Sequence, residues 1–225
     1  MRRTLTARAG GQAHRLSMIE FASLLPMLLD ERPIDTSERG WICEIKFDGY
    51  RLLAQADTKV QLRSRGGANA TAWFPELTAS LAKLKGGPYI FDGEVCVLDE
   101  QGRSDFNRLH DRARRRRWYE GADPVIYCIF DLLVDRGTDI TAQPLKKRKA
   151  ALARVLKKAL PNVLLVGHFD GEHATTLFKQ AVVPLGLEGL VAKRDDSPYL
   201  PGVRTTAWVK VKRKGAVPPE RFKRS

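Results

Sequence analysis

Residues 44–51 read EIKFDGYR: a lysine between two carboxylates in an apolar run, then a glycine and an arginine. On a strand, successive side chains point to opposite faces. Trp41, Cys43, Ile45 and Phe47 then share one face, and Glu44, Lys46 and Asp48 share the other. A cation between two anions at the end of a buried element is either a solvated edge or a chemical site. The neighbouring segments bear on which.

Short apolar runs, several with period-two alternation, predict strands at 41–47, 50–56, 59–65, 89–98, 125–133, 163–167, 188–194 and 206–213. Helices are expected at 74–85, 145–160 and 173–183. In LKKRKAALARVLKKAL (145–160) the apolar spacing is that of an amphipathic helix, and Pro161-Asn162 stops it. Strands outnumber helices, and several are joined by turns too short for a crossover helix. The expected fold class is therefore α+β with largely antiparallel sheets, not a doubly wound parallel sheet.

These strands carry isolated charges. Asp92 and Glu94 lie on one side of YIFDGEVCVLD (89–99), and Glu188 opens a strand that closes with Lys193 and Arg194. Trp208, Lys210 and Lys212 share a face of TAWVKVKR (206–213), as Arg63 and Arg65 do in VQLRSRGG (60–67). Any one of these fits a surface salt bridge. Together they suggest one cleft whose charges satisfy each other or a ligand. A phosphate chain with a divalent metal requires such a set, cations for the phosphates and carboxylates for the metal.

The overall balance points the same way. Lys plus Arg number 39 and Asp plus Glu 26 in 225 residues, a net charge of +13 that favours a polyanionic partner. The excess is local, in RARRRRWY (112–119) and in the tail from Lys210, KVKRKGAVPPERFKRS. A solvated charged face and a disordered tail are the competing reading. No apolar run approaches the ~20 residues that span a bilayer, and the N-terminus lacks the apolar core of a secretory signal. Residues 1–17 are Arg-rich and acid-free and are expected to be disordered, with Met18 an alternative start. Cys43, Cys96 and Cys128 sit singly in apolar runs, which fits reduced, buried thiols in a cytosolic protein.

KFDGYR (46–51) resembles the K-x-D-G-x-R signature of the covalent nucleotidyltransferases: ATP-dependent DNA ligases, RNA ligases and mRNA capping enzymes. SRGG (64–67), FDGEV (91–95), YCIFDLL (127–133), EGLVAK (188–193) and WVKVKR (208–213) are similar to that family's remaining motifs, in order. The phrasing is most similar to bacterial ATP-dependent DNA ligases, including the ligase domain of multi-domain end-joining enzymes. The resemblance implies the ligase/capping-enzyme nucleotidyltransferase fold, ATP-grasp-like, with an adenylation domain at 18–213. The tail 214–225 then reads as a basic linker towards an OB-fold domain that this chain does not include. A bare adenylation domain of this kind is expected to adenylate itself weakly or not at all unaided.

Roles follow from the same resemblance. Lys46 attacks the α-phosphate of ATP, releasing pyrophosphate and keeping AMP on its nitrogen. An amine is nucleophilic only without its proton, which nearby cations favour losing. Lys210 and Lys212 stabilise charge on the α-phosphate. Glu44 sits near the adenine and Phe130 stacks on it, although a core Phe fits position 130 equally well. Glu94 contacts the ribose or the metal, and Glu188 the metal; Mg²⁺ is expected, with Mn²⁺ a substitute. Arg51 and Arg65 hold the ribose or phosphates, and Lys193 and Arg204 the phosphates or the nick. AMP then passes to a 5′-phosphate in nicked double-stranded DNA, with the Arg112–Arg117 run and the tail on DNA phosphates. Partners implied are a separate OB-fold domain or an end-joining protein, in the cytoplasm at the nucleoid and away from membranes. RNA ligase or capping-type chemistry, and a non-catalytic nucleic-acid-binding module, are the alternatives.

Overall fold

A computed structural model describes residues 19–32 and 38–216, so the expectations for residues 1–17 and for most of the tail lie outside the described residues. In chain order the strands are β1 (Leu28–Glu31), β2 (Trp41–Lys46), β3 (Tyr50–Ala56), β4 (Val60–Ser64), β5 (Tyr89–Cys96), β6 (Ile126–Asp135), β7 (Thr138–Asp139), β8 (Val163–Leu165), β9 (Phe169–Asp170), β10 (Gly189–Arg194) and β11 (Arg204–Lys212). The α-helices are α1 (Pro75–Leu81), α2 (Phe106–Arg114), α3 (Leu145–Val155) and α4 (Ala174–Leu177), the last preceded by a 3₁₀ turn (Gly171–His173) and continued by a π-helical segment (Phe178–Val182). One sheet runs β1-β11-β10-β2-β9, the other β4-β3-β5-β6-β7 with β8 also on β6. The α+β expectation holds, and most pairs are antiparallel. The exceptions are β1 on β11 and β8 on β6, which are parallel.

Alternation sorts each strand between layers. Trp41, Cys43, Leu190, Ala192 and Val209 face outward from the first sheet and are covered by Ala174 and Val182. Ile42 and Trp208 face inward and pack with Leu53, Ile90 and Leu133 of the second sheet. The far side of the second sheet buries Leu52, Phe91, Tyr127 and Ile129 under α1, α2 and α3, through Leu77, Leu109 and Leu152. Each such fully buried side chain contributes roughly 1.5–3 kcal/mol.

The sequence reading missed α2, whose short apolar face lies among arginines, and β1, too short to alternate. The helix expected at 145–160 ends at Val155, because Leu156 leaves helical geometry (φ −94°, ψ 18°) before Pro161 is reached.

Candidate active site

β2 belongs to one sheet and β3 to the other, so Phe47-Asp48-Gly49 is the crossing between them. Gly49 is required for space: a Cβ there would lie 2.1 Å from the Val95 carbonyl oxygen and 2.8 Å from Cys96 Sγ. Phe47 packs against Cys96, Cys128 and Val166. The Asp48 N–H donates to Ser104 Oγ at 3.2 Å. Lys46, at the last position of β2, is thus carried on a pinned junction.

Register builds the floor of the site. Lys46, Gly189 and Lys212 form one row across β2, β10 and β11, and Glu44, Val191 and Lys210 the next. Gly189 leaves the middle of the first row open. Lys46 Nζ donates to Glu188 Oε2 at 2.6 Å, and Glu188 Oε1 lies 3.6 Å from Lys212 Nζ. Lys210 pairs at 2.8 Å with Glu31, a residue brought in by β1. That hydrogen bond, with Lys212 and Lys46 nearby, holds the Glu31 carboxyl below its usual range.

Glu94 faces this row from the second sheet, opposite Arg51 in register. Among the described residues its carboxylate has no hydrogen-bond or ion-pair partner. Burial pushes it up to about 7 against the pull of Lys46 and Arg51. A partly buried carboxylate lacking a cation, near Glu188, is a donor set that suits a hard divalent metal.

The other end of the cleft is filled with satisfied charge. Arg51 clamps Asp92 at 3.0 and 2.6 Å, and Tyr199 Oη donates to the same carboxylate at 2.6 Å. Glu44 is buried between Lys149 and Lys193, the latter at 2.8 Å. Burial works against its charge, but the two lysines more than reverse this and lower its pKa. Lys193 is pushed down to about 8, chiefly by burial. Its Nζ lies 4.2 Å from the Phe130 ring centroid and 4.1 Å from that of Trp208, within cation–π range.

The structure gathers the sequence-predicted residues closely. Lys46, Glu44, Arg51, Arg65, Glu94, Phe130, Lys193, Arg204, Lys210 and Lys212 all line one cleft of about 310 Å³. Glu188 lines an adjoining hollow of about 70 Å³ that shares Lys46. Some placements differ from expectation. Arg51 reaches the cleft wall but its guanidinium is committed to Asp92. Lys193 sits in the row of Trp208 and Ile42, four strand positions or about 13 Å along the strand from the Lys46 row, at the aromatic end and not beside Lys46, Lys210 and Lys212. Arg63 lies two positions before Arg65 on the same side of the β3–β4 ladder, which the Arg65 N–H continues to the Arg51 carbonyl at 3.0 Å, but it donates to the carbonyls of Phe21 and Gly67 and does not line the cleft. Arg112 is removed from the candidate DNA contacts, being fully buried against Glu76. Glu31, Lys149 and Tyr199 were missed. Each reaches the site through long-range contacts that leave no local pattern.

The ATP dependent DNA ligase domain family matches residues 26–212. The chain is 36% identical over 211 residues to the multifunctional non-homologous end joining DNA repair protein LigD of Mycobacterium tuberculosis, covering 89% of this chain and 26% of that protein. It is 34% identical over 187 residues to the SPbeta prophage-derived DNA ligase-like protein LigB of Bacillus subtilis, covering 83% of this chain and 66% of that protein. The crystal structure of the ligase domain of M. tuberculosis LigD superposes with a TM-score of 0.71 at 33% identity, over 86% of this chain and 62% of that one. The chain thus spans about a quarter of the end-joining relative.

Proposed function

Because this chain belongs to the ATP dependent DNA ligase domain family, we propose that it is an adenylation domain that charges Lys46 with AMP from ATP and passes that AMP to DNA. The observation that carries this reading is the placement of Lys46 at the junction of the two sheets, with Lys210 and Lys212 on its own face and Glu94 opposite.

In this mechanism the adenine enters the aromatic end, against Phe130, with Glu44 and Lys193 beneath it. The phosphates lie along the lysine rows, replacing Glu31 and Glu188 as partners of Lys210 and Lys212. The Lys46 ammonium must first lose its proton. The neutral nitrogen then forms a bond to the α-phosphorus as the bond to the bridging oxygen breaks and pyrophosphate leaves. Fixed cations aimed at the α-phosphate oxygens stabilise the charge that develops there. A divalent metal held by Glu94 and Glu188 would add positive charge at those same oxygens. A 5′-phosphate oxygen of a nick next displaces Lys46 and takes the AMP, and the 3′-hydroxyl displaces AMP to close the strand.

Residues 18–213 serve as this domain, and 214–225 lead towards an OB-fold domain that assists the first step. End joining or repair in the cytoplasm, at the nucleoid, is the setting assigned here. Among the described residues no helix is long and apolar enough to cross a membrane.

The test is intact-protein mass after incubation with ATP and Mg²⁺, beside Lys46→Ala and a GTP control, with and without an added OB-fold domain. One AMP gained by the unmodified chain alone, more with the OB-fold domain and none from GTP, is expected. No gain under either condition would overturn the proposal. A GTP-derived adduct would move it to capping-type chemistry.

A further inference from the structure

We infer that the exposed turn at Arg114, Arg115, Arg116 and Arg117, with Trp118, is a contact for duplex DNA, separate from the nucleotide cleft and about 15 Å from Lys46 along the α2 axis. The ligase reading enters only in the choice of DNA as the polyanion.

α2 starts at the reacting lysine's own junction. Ser104 receives the Asp48 N–H, and Tyr50, just past the crossing, packs against Phe106 and shares a 2.7 Å hydrogen bond with His110. The nine residues of the helix, packed on the second sheet through Leu109 and Ala113, then carry the chain about 14 Å from that junction at 1.5 Å per residue. At its far end Arg112 acts as an anchor. It pairs with Glu76 at 3.1 Å and donates to the Arg117 carbonyl at 2.8 Å, which closes the turn on itself. Arg116 takes a left-handed φ of 52° to complete it.

The four arginines that follow the anchor are all exposed, and none makes an ion pair among the described residues. Glu76 and Asp123, the acids facing this end of α2, are already engaged by Arg112 and Arg108. Asp111 and Glu120 are exposed nearby and leave the turn strongly cationic. Aromatic rings hold two of the guanidiniums in place: Arg115 stands 3.9 Å from the Tyr119 ring centroid and Arg116 5.6 Å from that of Trp73. Trp118 is 58% exposed. Four adjacent, unpaired cations, two of them held by rings, repel one another, and a row of phosphates relieves that repulsion. With duplex DNA seated at Lys46, 15 Å corresponds to about four or five base pairs at 3.4 Å each. In the inferred contact the turn grips one arm of the duplex beyond the nick.

The experiment compares the full chain with a variant carrying Arg→Gln at 114, 115, 116 and 117, and with a second variant carrying Arg→Lys at the same positions. Binding is read by fluorescence anisotropy on nicked duplexes with arms of about 4 and about 12 base pairs, between about 50 and 200 mM salt. The unmodified chain and the lysine variant should bind the long-armed duplex more tightly. The glutamine variant should bind both alike, with a log–log salt slope shallower by about 3–4, close to 0.9 per lost phosphate contact. Equal affinities and slopes for the glutamine variant and the unmodified chain would overturn the inference. So would a preference of the turn for an RNA duplex or anionic lipid vesicles, seen as loss of those ligands alone in the glutamine variant. AMP loading in the same preparations separates the two proposals, since it depends on Lys46 and not on this turn.

Discussion

At the closed end of the cleft, Arg51 with Asp92 and Tyr199 and Arg148 with Asp131 are hydrogen-bonded with little exposure, and Glu44 is buried in ion pairs with Lys149 and Lys193. At the open end, Lys46 and Lys212 share the buried Glu188, Lys210 pairs with the exposed Glu31, and among the described residues Glu94 has no hydrogen-bond or ion-pair partner. Net charge does not separate the two regions. Burial and saturation do. Removing one member of a buried pair strands the other charge, so the closed end behaves as scaffold. The Lys210–Glu31 pair near water contributes only about 0–1 kcal/mol, and the open-end lysines keep more exposure than the closed-end cations, so they exchange a carboxylate for phosphate more readily. Charges meant to bind and release a polyanion belong where their own partners hold them weakly.

Substitutions at the two ends should therefore fail in different ways. Lys46→Ala should lose AMP loading by a factor on the order of 10⁶, below detection by intact mass, with a smaller fall in thermal midpoint than a closed-end substitution, since Glu188 keeps Lys212 at 3.6 Å. Arg148→Ala should do the opposite. A loss of about 3–5 kcal/mol lowers the midpoint by roughly 10 °C at about 2–4 °C per kcal/mol, while the molecules still folded load AMP within a few-fold of normal. Lys210→Ala and Lys212→Ala should each slow loading by about 10²–10³-fold without a comparable change in melting. A large stability loss at Lys210, or a rate loss at Arg148 without one, would break the division.

Two smaller effects sharpen it. The Glu94 carboxyl titrates near 7, so a metal must displace its proton below that pH. The apparent Mg²⁺ affinity of the loading reaction should fall up to about tenfold per unit below pH 7 and be flat above it. A midpoint near the ordinary 4.5 would contradict the assignment. In metal-free protein the sign for stability follows: with the folded pKa raised, this group favours folding below 4.5 and loses that contribution as pH rises through 7. Glu31→Gln is the mildest change. It frees Lys210 and should lower the KM for ATP by less than about fivefold while leaving kcat in place, as steady-state loading rates would show.

Most of the open end was legible in the sequence, because strand alternation alone puts Lys46, Lys210, Lys212 and Glu94 on inward faces. The glycines at 49 and 189 mark where the backbone needs room. The closed end was not legible as scaffold. Nothing local in FDLL or EGLVAK says that Asp131 meets Arg148 or that Lys193 meets Glu44, since those pairs span 17 and 149 residues of chain. The run RARRRRWY reads as uniformly exposed, yet Arg112 lies on the buried face of α2 while its neighbours do not. Helical phase, invisible in a stretch of identical residues, made that distinction. β1 escaped notice because four residues give too little alternation, and with it went Glu31.

The most direct measurement is peptide mapping of the AMP adduct by mass spectrometry. Lys193, lowered to about 8, is the lysine that basicity alone would select as nucleophile. Lys193 belongs to the scaffold, so AMP is expected on the peptide containing Lys46 and on no other. AMP on Lys193 would overturn the division between the two ends, because a saturated, buried charge would then be the nucleophile.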